Sequence, residues 1–219
     1  MPEELGKIEK PPVEEFKRGR KLLFVPLVYG SKDSPNEYSE KVKKYWEEVE
    51  EQLSDLELKL RQARRIYHEL VPSAGKEGVK AVKDLNDGSH QVVKTRVEKG
   101  AELEAAEDNE LLTEFMDWSR CLAIGLQNQK VFSTVYQSYV EAGKKRNESI
   151  ARRLDETLKA DEIGILFMQE GHQVQFPPGI EVFYVAPPAL DEIKRWLRDR
   201  EAKQAEEAKS EARKKGEKQ

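Results

Sequence analysis

Glu162-Ile-Gly-Ile-Leu-Phe-Met-Gln-Glu-Gly-His172, with Ile180-Glu-Val-Phe-Tyr-Val-Ala-Pro-Pro188 shortly after it, decides the fold. Both are short apolar runs rich in β-branched and aromatic residues and bounded by glycine or proline, the pattern of core strands. The first ends in Glu170-Gly171-His172, where an α/β sheet places its ligand site.

Working outward, Lys21-Leu-Leu-Phe-Val-Pro-Leu-Val-Tyr-Gly30 is another near-continuous apolar run, as in a strand buried on both faces. Pro26 removes one ladder donor and argues for an edge position or a bulge. Ser34-Pro35 then opens a long helix, serine capping it and proline in its first turn. Within that helix Val42, Trp46, Val49, Leu53, Leu56 and Leu60 recur at alternating steps of four and three, a narrow seam. The seam packs either on the protein's own sheet and helices or on a second copy. A second strand is expected over 64–71, ended by Pro72, and a short helix over 75–86, stopped by Asn86-Asp-Gly88. Residues 90–99 suit a strand or a helix.

From Asp108 the apolar residues Leu111, Leu112, Phe115, Met116, Trp118 and Leu122 cover too wide an arc for a surface helix, so this segment should be mostly buried. A further helix over 130–159 carries the polar stretch Lys144-Lys-Arg-Asn-Glu-Ser149, with Gly143 marking a kink or break. A last helix starts at Ala189. Beyond Arg200 the chain is Ala, Glu, Lys and Arg, either a solvated helical extension or disordered. The expected class is therefore α/β, a small, largely parallel sheet of about four strands covered by long helices, with a helical insertion at about 100–160 between strands two and three. A flexible arm over 1–20, one domain over 21–199 and a charged tail over 200–219 complete the layout.

Composition narrows the function. Charged residues make up 37% of the 219 and the formal net charge is −4, so no bulk basic field exists for nucleic acid. The local basic run of Lys144, Lys145, Arg146, Arg152 and Arg153 has acidic neighbours, which weighs against nucleic acid as a partner. The single cysteine, Cys121, suits a reducing cytoplasm and reads as a small hydrophobe within an apolar helix. No apolar run approaches the roughly 20 residues of a membrane helix. Phosphate-binding glycine loops, GxSxG and HExxH are absent.

In a parallel sheet the loops after different strands converge at one edge. There the sequence supplies Tyr29-Gly30-Ser31, His68 and Glu69, and Glu170-Gly171-His172. Carboxylate and imidazole together can share general acid and base work, giving Glu69, Glu170 and His172 as candidate catalytic residues. His68 and Glu69 alternate along a strand and face opposite ways, so His68 is the packing residue of the pair. Arg146 interrupts its helix with charge, and could reach over the edge to bind a carboxylate or phosphate. Gly30 and Gly171 complete the candidate ligand-binding set. No metal ligand set and no cofactor emerge.

The order of these features resembles the superfamily that holds the erythromycin esterases, the TraB-type proteins and the ChaN-type haem-binding proteins. The matching residues are Gly30 in the first turn, Glu69 ending the second strand, Arg146 with Asn147, and Gly171-His172 after an apolar strand. The family's first turn usually carries an acidic residue and a histidine, whereas this chain has Tyr29-Gly-Ser-Lys32. The resemblance implies a hydrolase-like site, short of the first-turn ligand that metal-dependent hydrolysis would use. Two functions follow: a hydrolase-like or small anionic-ligand site at the sheet edge, or an interaction protein whose long helices bind a partner or form a homodimer.

Overall fold

A computed structural model of the chain describes residues 18–31 and 33–216, with side chains to residue 207. Most of the arm expected over 1–20 lies outside them. Five parallel strands form one sheet: β1 (Arg20–Pro26), β2 (Arg65–His68), β3 (Glu102–Leu103), β4 (Ile163–Met168) and β5 (Ile180–Tyr184). Their spatial order is β3-β2-β4-β1-β5, which puts the Ile163–Met168 run at the centre. All six residues of β4 are buried, as a strand covered on both faces requires.

Pro26 sits neither at a sheet edge nor in a bulge. β1 lies between β4 and β5, and the β5 ladder ends with the Val185 N–H donating to the Phe24 carbonyl at 2.8 Å. Alternate residues of a strand bond to opposite neighbours, so Pro26 faces the β5 side just past the last rung. Its missing N–H therefore costs no ladder bond, and its carbonyl accepts from the buried Tyr45 hydroxyl at 2.5 Å.

The helices are α1 (Asn36–Lys59), α2 (Gly75–Leu85), α3 (Asp87–Glu98), α4 (Asn109–Ala123), α5 (Gln129–Thr157) and α6 (Pro188–Gly216). Pro35 occupies the N-cap of α1, with Ser34 before it and no side-chain cap. Residues 87–98 resolve as helix because Asn86 caps them, its side chain accepting from the Ser89 N–H at 3.0 Å. α1, α2, α3 and α6 cover one face of the sheet. On that face Val49 and Leu53 are fully buried and Trp46 nearly so, and the α1 seam is spent inside the fold. The other face is covered by Ile150 and Leu154 from the C-terminal half of α5, by Leu158 at its C-cap, and by Val174 and Phe176.

α4 departs from expectation. None of its residues is buried, and its principal neighbour is α5, which folds back along it. The wide apolar arc that reads as a buried helix belongs instead to one arm of a two-helix hairpin. Nor does α5 break at Gly143. A Cβ there would come 3.3 Å from the Phe115 ring, so glycine serves the close approach of α4 rather than a kink. Past Arg200 α6 continues as helix.

Candidate functional site

β1 leads into α1 on one face of the sheet, whereas the chain after β4 crosses the other face through Val174 and Phe176 to reach β5. Adjacent parallel strands whose connections part in this way leave a crevice at their C-terminal ends. Glu69 and Glu107 approach it from the loops after β2 and β3.

Arg146 joins them. Its Nη2 donates to Glu69 Oε1 at 3.1 Å, its Nε to Glu107 Oε2 at 2.9 Å, and Nη2 also reaches Glu107 Oε1. All three side chains are buried. The carboxylates are further held by backbone: Glu69 Oε2 accepts from the Gln169 N–H at 2.8 Å and Glu107 Oε1 from the Leu70 N–H at 3.0 Å. Leu70 takes a left-handed backbone (φ 66°), which costs an ordinary residue about 1 kcal/mol, and that turn aims its N–H at Glu107. Burial works against the guanidinium charge, yet the Glu107 and Glu69 carboxylates outweigh it and raise the Arg146 pKa. The guanidinium also lies 5.0 Å from the centre of the Phe115 ring. One side chain thus ties α5 and α4 to the loops after β2 and β3 directly, and to the loop after β4 through Glu69.

The other candidates are placed differently. His172 is half-buried beside Phe24 and Phe176 (ring centres 5.0 and 5.3 Å), and its Nδ1 accepts from the Val174 N–H at 3.2 Å. Burial lowers its pKa, with the Glu69 charge pulling the other way. Glu170 turns to a separate surface cluster, accepting from Lys194 Nζ at 2.6 Å and from the Tyr184 hydroxyl. Burial opposes the effect, but those two hydrogen bonds hold its carboxyl below the usual range. Gly30 and Gly171 are exposed. A Cβ at Gly171 would meet nothing within 4 Å, and one at Gly30 only Val42 at ordinary contact, so neither forms a cradle that needs glycine. The structure therefore brings Glu69 and Arg146 together, leaves His172 on the same face of the sheet against Phe24 and Phe176, and sends Glu170 elsewhere.

His68 is the packing residue. It is fully buried, Nδ1 lying 2.7 Å from the Glu69 carbonyl and Nε2 3.0 Å from Ser89 Oγ. A carbonyl only accepts, so Nδ1 carries the proton. Burial lowers the pKa to about 4, leaving Nε2 bare near neutral pH beside the Ser89 hydroxyl, which also donates to the Asn86 carbonyl at 3.1 Å. Glu107 is the member that sequence reading missed. Among the described residues the Tyr29 hydroxyl, buried beside the cluster, has no hydrogen-bond partner, and burial, then the Glu69 charge, push it up to about 12.

A second feature stands above the crevice. Ile124, Val131, Phe132, Tyr136 and Val140 are exposed, all within the α4–α5 hairpin, Tyr136 and Val140 by half their surface. A shallow concavity of about 340 Å³ runs between Tyr136, Val140 and Lys144. Among the described residues no helix is long and apolar enough to cross a membrane.

No family model, curated protein or solved structure matches this chain.

Proposed function

We propose that this is an interaction protein whose working surface is the outer face of the α4–α5 hairpin, with the Arg146 cluster as the clamp that holds the hairpin on the sheet. The carrying observation is that α4 leaves its apolar side chains only half-covered while α5 exposes Phe132, Tyr136 and Val140 beside it. Contiguous apolar surface of this kind on an otherwise highly charged protein marks a contact site.

The strand-edge cluster supports the clamp role better than a site for a small anion. Arg146 already donates to two carboxylates, and two acids against one base leave an excess negative charge that repels an anion. A hydrolase-like reaction on Glu69 would first have to free it from Arg146 and from the Gln169 N–H.

The test places a photo-activatable residue at position 136, and in a control at the exposed Lys43 on α1, in the full chain expressed in cells. A discrete protein–protein adduct from position 136 alone is expected. Equal labelling from both positions, or none from 136, overturns the proposal.

A further inference from the structure

The tip of the hairpin breaks the charge pattern of the rest of the chain. Acidic residues number 42 among 219, yet residues 118–140 hold none, and Arg120 and Lys130 are their only charges. Each of the other described helices has an acid in its first turn, Glu37, Glu77, Asp87, Glu110 or Asp191, whereas α5 has none there. The helix dipole would favour an acid at that place and opposes Lys130, which stands there instead. Local stability is thus given up for a tip free of negative charge. The cap follows the same rule. Neutral Asn128 accepts from the Lys130 and Val131 N–H groups at 3.0 and 3.2 Å, whereas the far end of α4 is capped by Asp108. Gly125 closes α4 with a left-handed backbone (φ 76°), its N–H donating to the Leu122 carbonyl at 3.4 Å. The turn therefore meets these N–H groups internally, as a segment leaving bulk water must.

We infer that the tip seats in an anionic lipid surface, with Ile124, Val131 and Phe132 entering the boundary between headgroups and acyl chains. This adds a lipid contact at the tip to the protein contact proposed for the outer face. Shape, depth and charge select lipid. The apolar side chains stand on a convex end, Ile124 75% exposed, Val131 47% and Phe132 39%. The concavity that a protein side chain could fill lies farther up, between Tyr136, Val140 and Lys144. Asp117 lies seven residues before Ile124 and Glu141 ten after Val131, so the nearest carboxylates stand about 10 and 15 Å up the two helices. An interfacial segment buries to about 5–10 Å, and no carboxylate has to enter. Lys130 adjoins Val131 and forms no ion pair among the described residues. Arg120, about one turn before Ile124, pairs with Asp117 at 2.7 Å, but both are mostly exposed, where such a pair is weak and yields to a phosphate. Trp118 on α4 and Tyr136 on α5 lie above the apolar end, at the level where aromatic residues meet headgroups.

Flotation of the full chain with phosphatidylcholine vesicles, with and without a third of phosphatidylserine, tests this. An environment-sensitive fluorophore on Cys121, the single cysteine and about one turn from Ile124, reports immersion. The chain should float with the anionic vesicles and its label should shift to the blue, with partition onto pure phosphatidylcholine at least about tenfold weaker. Ile124→Glu and Val131→Glu should each weaken partition at least about tenfold and abolish the shift. Lys130→Gln should weaken it about fivefold on the anionic vesicles, and Leu197→Glu on α6 should change nothing. Unchanged far-ultraviolet spectra confirm that the variants fold, and Phe132→Glu stands in for either tip variant that does not. No partition onto either vesicle, or partition that the tip variants leave unchanged, overturns the inference. Equal partition onto both vesicles overturns the anionic assignment and the inference with it. A photo-activatable residue at position 124 that captures a protein while vesicles stay unbound assigns the tip to an acidic protein face instead. The adduct from position 136 is read separately, so the outer face stands or falls on its own.

Discussion

Arg146 on α5 and Glu69 after β2, 77 positions apart in sequence, meet at 3.1 Å in a buried ion pair that Glu107 completes. That pair connects the hairpin to the sheet, so its loss should be felt in both. Removing one partner of a buried ion pair strands the other, at a cost of about 3–5 kcal/mol. Arg146→Ala should therefore lower unfolding free energy by about that amount in urea titrations, since it strands two carboxylates. A cost under about 1 kcal/mol would mean that the cluster is solvated and clamps nothing.

The α1 seam is a core feature. Trp46 is 8% exposed and packs against Tyr45 and Phe167. Trp46→Ala should cost about 3–5 kcal/mol with no change in oligomeric state. A small cost, or a shift in oligomeric state, would return the seam to the role of an intermolecular contact.

The same indole accounts for Gly88 in the first turn of α3. A Cβ at Gly88 would sit 2.2 Å from Trp46 Cδ1, closer than any real contact allows. Gly88→Ala should destabilise by about 1–3 kcal/mol through overpacking, although alanine is the better helix former. Chemical denaturation of the variant decides the sign.

His68 makes stability depend on pH. Its pKa is about 4 in the folded chain, below the unfolded value of 6.5, so between those values the unfolded state binds more protons. The contribution is complete above pH 6.5 and is lost as pH falls towards 4, up to about 3 kcal/mol from the two pKa values. Urea midpoints should fall over that window, and His68→Gln should flatten the fall. An equal fall in the variant would assign the acid sensitivity to other groups.

These residues also mark what could be read in the chain. The α1 seam and the apolar strands were legible because burial leaves a period of 3.6 or an unbroken apolar run. Arg146 was legible because it sits in the polar stretch Lys144–Ser149 of a long helix, just before Ile150 resumes the apolar stripe. β3 is two residues long and has no period to show, so Glu107 just beyond it carried no signal. α4 was misread for a physical reason: an apolar arc states how much surface wants cover, and a half-covered hairpin arm carries the same arc as a core helix. The pairing of charges at the strand ends depends on loops whose paths no local pattern encodes.

The proposed working surface is the hairpin face rather than the strand edge. Hydroxyl-radical footprinting, run on the chain in cells and on the purified chain when dilute, tests it most directly. Met116, Phe132 and Tyr136 should be protected in cells relative to the dilute protein, with His172 and Tyr184 unchanged. Protection at His172 and Tyr184 with the hairpin fully labelled would contradict the account and return function to the strand edge.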